Sequence, residues 1–275
     1  MEINTIISDQ SGIASNTGNL GNVYLRLGEY QKAIEHYEKS SQLSTEIGDR
    51  SGIARNNGNL GNAYLNLGDY QKAIEHHEKG LQISTEIGDG WGVASTNSNL
   101  GSAYFRLGAY QKAIEYYEKG LQISTEIGDS SGMASSIGNL GNAYRSLGQY
   151  QKAIEYCKKG LKIRTEIGDR LGIANKNSNL GSAYLTLGEY EKAIIYYETG
   201  LQISTEIGDR PGTASDTGNL GNAYRNSAKY QKAIECYKKN LQISTEIGPQ
   251  SAIAGDNSNL GNAYSNIGVY QKAIE

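Results

Sequence analysis

The sequence predicts an all-helical fold of the α-solenoid class, in which short helical hairpins stack side by side. The main observation is a repeat of forty residues that runs through the chain without an insertion or a deletion. One leucine marks the equivalent position of each copy, namely Leu20, Leu60, Leu100, Leu140, Leu180, Leu220 and Leu260. A unit of this length is too small to bury a core of its own, so the copies are expected to stack on one another.

Each unit is predicted to be a pair of helices, because apolar residues recur at helical spacing on both sides of a glycine break. In the second unit the break is Gly68-Asp69, where glycine permits the left-handed turn that ends a helix. We therefore expect helix A at about Arg50–Leu67 and helix B at about Tyr70–Ile87. The aspartate of Ile87-Gly88-Asp89 is expected to cap the helix that follows.

Applied to the whole chain, this division predicts one linear array rather than several globular domains. Residues 1–10 are interpreted as the remnant of a preceding helix B, and residues 11–275 as the array. The predicted repeats are 11–48, 51–88, 91–128, 131–168, 171–208, 211–248 and a truncated 251–275. Neither end of the array has a polar capping helix, so end-to-end self-association is an expected property.

Composition excludes several classes of partner. The 26 Lys and Arg residues nearly balance the 29 Asp and Glu residues, which leaves no basic footprint for nucleic acid. No apolar run has the length of a membrane span, and Met1 to Gln10 has neither the basic start nor the apolar stretch of a signal peptide. Cys157 and Cys236 lie two repeats apart and are predicted to be thiols. These features predict a cytoplasmic protein that binds neither membranes nor nucleic acids.

The units share the motif L-G-x-x-Y, then G-x-Y, then A-x-x-x-Y. Examples of its residues are Leu60, Gly61, Tyr64, Gly68, Tyr70, Ala73 and Tyr117. This motif resembles the tetratricopeptide repeat, and the forty-residue length is most similar to the Pins family of G-protein signalling modulators. The resemblance implies a right-handed superhelix, with helix A lining an inner concave groove and helix B on the outer face. Nothing in the chain resembles the short G-alpha-binding motifs of that family, so regulation of G proteins is not inferred.

Two rows of asparagine follow helix A, one turn apart on one face. The first row is Asn19, Asn59, Asn99, Asn139, Asn179, Asn219 and Asn259; the second is Asn22, Asn62, Asn142, Asn222 and Asn262, with Ser102 and Ser182 in the other two repeats. A side-chain amide both donates to and accepts from an extended peptide backbone. The rows therefore predict a peptide-binding groove, as the resemblance also implies. The alternative is that these asparagines bond to the neighbouring repeat and set the stacking angle.

Residues that differ between repeats are predicted to line the same face. They are Leu25, Arg26, Leu65, Phe105, Arg106, Arg145, Leu185 and Arg225, of which the arginines and Phe105 are the candidate ligand contacts. Arginine suits acidic side chains of a ligand, and phenylalanine suits an apolar anchor. The alternative is a solvated inner wall.

No catalytic, cofactor or metal site is predicted. His77 occupies a position that is aromatic in other repeats, which indicates packing, and Glu86 with Asp89 is explained by helix capping. The sequence G-N-L-G-N lies inside a helix with no preceding strand, so it is not a phosphate-binding loop.

The predicted function is therefore that of a non-enzymatic scaffold or adaptor, whose groove binds an extended or partly helical segment of a partner protein. The alternative is a sensor or spacer region of a larger signalling protein, which self-associates without a dedicated peptide ligand.

Overall fold

The structure, a computed structural model, describes residues 2–247, 250–269 and 272–273. Within these ranges it contains thirteen α-helices and no strand. The helices are α1 (Glu2–Arg26), α2 (Tyr30–Glu46), α3 (Arg50–Leu67), α4 (Tyr70–Glu86), α5 (Gly90–Arg106), α6 (Tyr110–Glu126), α7 (Ser130–Ser146), α8 (Tyr150–Glu166), α9 (Arg170–Thr186), α10 (Tyr190–Glu206), α11 (Arg210–Asn226), α12 (Tyr230–Ile247) and α13 (Gln250–Asn266). The predicted all-helical solenoid class is confirmed, with odd-numbered helices as helix A and even-numbered helices as helix B.

Helix α1 differs from the prediction at its start. It continues without a break from Glu2 to Arg26, whereas residues 1–10 were expected to belong to a separate helix B. The reason lies at the junction, where Ser8 replaces the glycine found in Gly48-Asp49 and its equivalents. Without glycine the left-handed turn is costly, and the helix runs on.

The helix ends elsewhere follow the predicted turn chemistry. Gly68 ends α3 in the left-handed conformation, with φ of 89°. At the start of α3, Asp49 accepts a hydrogen bond from the backbone N–H of Gly52 at 2.9 Å. This bond satisfies one of the amides that a helix leaves open at its first turn. In this repeat the glycine fixes where the hairpin bends, and the aspartate fixes where its first helix begins.

The chain divides into two compact units, Met1–Leu147 with helices α1 to α7 and Gly148–Glu275 with helices α8 to α13. In the first unit each helix contacts the next one along the chain, from α1 to α7. In the second unit the same holds from α8 to α13. Each unit is thus a stack of helices built from consecutive neighbours, as expected for a solenoid.

The core of each unit consists of side chains that repeat with the period of the sequence. Leu100 and Leu180 are fully buried in the first and second unit respectively. Close packing of the hairpin depends on glycine: a Cβ placed on Gly21 would lie 2.6 Å from the ring of Tyr37. Described tyrosines at the Tyr64 and Tyr70 positions are all buried or partly buried, so they contribute to the packing of the hairpins.

Candidate functional site

The candidate site is the face formed by the odd-numbered helices. In the first unit α1 contacts α3, α3 contacts α5 and α5 contacts α7; in the second unit α9 contacts α11. Side chains at equivalent positions of these helices therefore form rows across each unit. Both asparagine rows of the sequence lie on these helices.

The first asparagine row is available to a ligand. Asn59, Asn99, Asn139, Asn179 and Asn219 are each partly buried, as is Asn259 on α13, while Asn19 on α1 is exposed. Among the described residues, no side chain in this row forms a hydrogen bond within the protein. Because an amide held at a surface without an internal partner keeps both its donor and acceptor capacity, this row can pair with an external backbone.

The second row is partly committed to the hairpin itself. The side-chain oxygen Oδ1 of Asn22 accepts a hydrogen bond from the hydroxyl of Tyr37 at 2.8 Å. Oδ1 of Asn222 accepts a hydrogen bond from the hydroxyl of Tyr237 at the same distance. The hydroxyl of Ser182 is 2.9 Å from that of Tyr197. Each bond joins helix A to helix B within one repeat. It is therefore neither a contact with a ligand nor a contact with the neighbouring repeat, the two roles that the sequence suggested for these residues. In this row Asn62 and Asn142 are partly buried and Asn262 is exposed.

Among the described residues of the first unit, two of the cavities lie between neighbouring odd-numbered helices. One, of about 340 Å³, lies between α3 and α5 and is lined by Asn59, Asn62 and Asn99. The other, of about 350 Å³, lies between α5 and α7 and includes Asn99 and Trp91. The first cavity has free space beside its lining residue Gly58, because a Cβ atom added to Gly58 would meet no other atom within 4 Å. Asn99 lines both cavities and so links them into one surface.

The second unit has an equivalent cavity of about 320 Å³ between α9 and α11. Asn179, Ser182 and Asn219 line it together with Asp216. Asp216 is buried and accepts a hydrogen bond from the Ser178 hydroxyl at 2.5 Å. Burial raises the pKa of the Asp216 carboxyl to about 6, since the charged form loses its hydration. Apart from this carboxyl, the cavity wall consists mostly of neutral amide and hydroxyl groups.

The predicted arginines are not brought into these cavities. Arg26, Arg106 and Arg145 are exposed, and Arg225 is partly buried. None of the four lines the three cavities described above, because their positions are near the ends of helix A, next to the turn. Phe105 packs against Tyr110 of the adjoining helix, with ring centroids 5.3 Å apart. Phe105, which was predicted to be an apolar anchor for a ligand, therefore contacts another residue of the protein.

Sequence reasoning missed the serines that line the cavities beside the asparagines, including Ser95, Ser98, Ser135 and Ser215. Variation between the repeats could have indicated some of these serines, because Ser98 and Ser178 stand at the position of Gly58. Trp91, a surface aromatic at the start of α5, also lines a cavity.

The described residues form neither a metal site nor a membrane-spanning helix. Across residues 2–247, 250–269 and 272–273, no group of three or more His, Cys, Asp or Glu side chains is placed to hold a metal ion. No described helix combines the length and apolarity needed to cross a membrane. Cys157 and Cys236 are thiols, as predicted.

The stacked hairpins and their recurrent polar face define a helical repeat protein of the interaction-scaffold class. The sequence profile of the tetratricopeptide repeat matches residues 12–86, 92–166 and 172–246, which is more than half of the chain. The chain belongs to the tetratricopeptide repeat family. A search of curated proteins finds no match.

Solved structures show the same fold at low sequence identity. BtubC from P. vanneervenii is 23% identical, with a TM-score of 0.64 over 75% of this chain and 85% of that one. A signal transduction ATPase with numerous domains and a tetratricopeptide repeat sensor, from Pyrococcus horikoshii, is 19% identical with a TM-score of 0.84 over 94% of this chain. Aspartyl phosphate phosphatase F from Bacillus subtilis is 17% identical with a TM-score of 0.69, also over 94%. The matches cover 40% of the ATPase and 66% of the phosphatase.

Proposed function

We propose that this chain is a cytoplasmic, non-enzymatic scaffold that binds an extended or partly helical segment of a partner protein along the face of its odd-numbered helices. The observation that carries the proposal is the first asparagine row, in which Asn59, Asn99, Asn179 and Asn219 line cavities and, within the described part of the chain, have no internal hydrogen bond. Rows of such amides match the repeating N–H and C=O groups of a peptide backbone.

The chemistry of the cavities supports a backbone ligand over a highly charged one. Their lining consists largely of asparagine, serine and glycine, and the predicted arginines lie outside them. Backbone recognition by neutral amides depends little on the side chains of the bound segment. Sequence preference is then expected from the neighbouring variable residues, such as Trp91, which projects an exposed aromatic surface beside the α5–α7 cavity.

A second candidate is a sensor or spacer region that associates with copies of itself. It is favoured by α1 and the residue that follows it, where the side chains of Ile13, Leu20, Val23 and Leu27 are exposed. The likeness to a protein described as carrying a tetratricopeptide repeat sensor agrees with this candidate, although that likeness shows the fold alone.

The peptide proposal is tested by selecting binders from a displayed library of random peptides and measuring their affinity by calorimetry. Replacing Asn179 and Asn219 together by alanine is expected to weaken binding in the second unit by about 1 to 3 kcal/mol, since each lost hydrogen bond is worth about 0.5–1.5 kcal/mol. Helicity and melting temperature are expected to stay nearly constant, because neither side chain is used inside the protein. Asn226→Ala is the matched control, since Asn226 is exposed on α11 and does not line the cavity.

Two outcomes count against the proposal. If selected peptides bind the double variant as tightly as they bind the wild type, the asparagine row does not contact the ligand. If the double variant melts at a much lower temperature while binding is retained, the row stabilises repeat stacking, and the groove function must be given up.

A further inference from the structure

Helix α8 and the start of α9 depart from the repeat in one direction, toward positive charge. Arg164 on α8 stands where the other five complete B helices have serine, at Ser44, Ser84, Ser124, Ser204 and Ser244. Lys176 on α9 stands where the neighbouring A helices have Ser136 and Asp216. In a chain whose copies are otherwise so alike, both substitutions place a cation at the same junction between two helices.

The two side chains line one small cavity. It has a volume of about 220 Å³ and is formed by Arg164, Asp169, Leu171, Gly172, Asn175 and Lys176. Lys176 is only 8% exposed, and in the described part of the chain its ammonium group has neither a hydrogen bond nor an ion pair. The Nε of Arg164 is also buried without a hydrogen-bond partner. Two cationic side chains with unmet hydrogen-bonding capacity therefore line one cavity, and such groups are costly to bury unless an acceptor binds them.

Among the described residues that line the cavity, the one carboxylate, Asp169, is already engaged. One oxygen of Asp169 accepts from the backbone N–H of Gly172 at 2.8 Å, and the other pairs with the Arg164 guanidinium. The other titratable neighbour of Lys176 is the Cys157 thiol. Burial, the largest effect, lowers the pKa of Lys176, and the nearby Arg164 lowers it further. Two cations thus face one carboxylate, and the cavity has an excess of positive charge.

We propose that this cavity at the junction of α8 and α9 binds a single anionic group, a carboxylate or a phosphate, between Lys176 and Arg164. Its volume suits one such group rather than a whole nucleotide or cofactor. Entry is from the surface, since Leu171 and Asn175 in its wall are exposed. The inference is independent of the peptide groove, because it rests on residues outside both asparagine rows.

The test is a titration of the isotope-labelled full chain, followed by NMR, with inorganic phosphate and with sodium acetate as separate probes. Sodium chloride at equal ionic strength serves as the reference. The backbone amides of Gly172, Asn175 and Lys176 are expected to shift in a saturable way with at least one probe. A response to phosphate alone assigns a phosphate site, and a response to acetate alone assigns a carboxylate site.

Two variants introduce residues that this chain already tolerates at equivalent positions, Arg164→Ser and Lys176→Ser. Each is expected to weaken the saturable response about tenfold or more, because a charge-assisted hydrogen bond is lost. Lys162→Gln removes a positive charge from the exposed side of α8 and restores the glutamine found in other repeats. Its affinity is expected to equal that of the wild type.

The proposal is overturned if neither probe gives a saturable shift at these amides in the wild-type chain. It is equally overturned if Lys162→Gln weakens binding as much as the two serine variants do, since the response would then report the general charge of α8. Should a serine variant fail to fold, the wild-type titration and the Lys162→Gln comparison still decide the question.

Discussion

At the scale of single residues, His77 shows how one substitution alters a repeat. Its ring fills the position that Tyr37 occupies in the first repeat, against Gly61, but both of its nitrogens are buried without hydrogen-bond partners. Tyr37 reaches across the hairpin to Asn22, and the shorter histidine does not reach Asn62 in the same way. Unsatisfied buried polar groups reduce stability.

We predict that His77→Tyr stabilises the first unit by about 1 to 3 kcal/mol, because the new hydroxyl bonds to Asn62 and the unpaired ring nitrogens are removed.

Burial lowers the pKa of His77 from its ordinary 6.5 to about 4. Between these pH values His77 binds a proton in the unfolded state but not in the folded state. The free energy of unfolding of the wild type therefore falls as the pH drops from about 6.5 to about 4. Thermal melts at several pH values measure both effects.

The reciprocal variant Tyr117→His provides the control for this prediction. Tyr117 is 3.2 Å from the hydroxyl of Ser102, so its replacement is expected to lower stability and to add an acid-dependent loss. An unchanged pH dependence in His77→Tyr would show that His77 is not the titrating group.

At the scale of the helices and turns, the hairpin between α11 and α12 contains a strained residue. Ala228 has a φ of 59°, whereas the equivalent turn positions, such as Gly188 with a φ of 76°, are glycine. An L-residue with a side chain pays a steric cost in the left-handed region, and glycine does not. The turn forms nevertheless, because packing of the adjoining helices holds it in place.

We predict that Ala228→Gly raises the free energy of unfolding of the second unit by about 1 kcal/mol, since the relief of left-handed strain exceeds the entropy that glycine adds to the unfolded chain. Chemical denaturation followed by circular dichroism measures the change. Gly188→Ala in the preceding hairpin is expected to lower stability by a similar amount. Equal stability of all three proteins would contradict the steric account.

At the scale of the whole molecule, α1 has an uncovered apolar face. Leu20 is 50% exposed, whereas its equivalent Leu100 is fully buried. Ile13, Leu20, Val23 and Leu27 follow at intervals of seven, three and four residues, which places them along one side of the helix. Such a stripe is typical of a surface that packs against another helix.

We predict that the chain self-associates at high concentration through this stripe, and that Leu20→Glu combined with Val23→Glu shifts the equilibrium to the monomer. Introduced charges would have to be buried in the contact, which strongly disfavours it. Sedimentation velocity over a range of concentrations measures the change. Ile195→Glu is the control, because Ile195 is an exposed apolar residue on a different helix, α10. Association that persists in the double variant would assign it to another surface.

The sequence by itself determined the architecture of stacked helical hairpins, because the signals that define each hairpin are close together in the chain. Helix spacing, the glycine of each turn and the aspartate of each cap lie within a few residues of one another, so the bounds of α3 and the start of α4 were predicted correctly. The prediction was wrong at residues 1–10, where Ser8 instead of glycine lets α1 continue. That difference was also local and was visible in the sequence.

Only the tertiary structure decided what the repeated side chains do. Asn219 and Asn222 are three residues apart on one helix, yet Asn222 is bound by Tyr237, and Asn219 lines a cavity without an internal partner. Arg164 and Lys176 belong to different repeats in the sequence, and their shared cavity exists because α8 packs on α9. Periodicity reports which residues are equivalent, whereas hydrogen-bond partners and burial depend on distances between helices that the period does not contain.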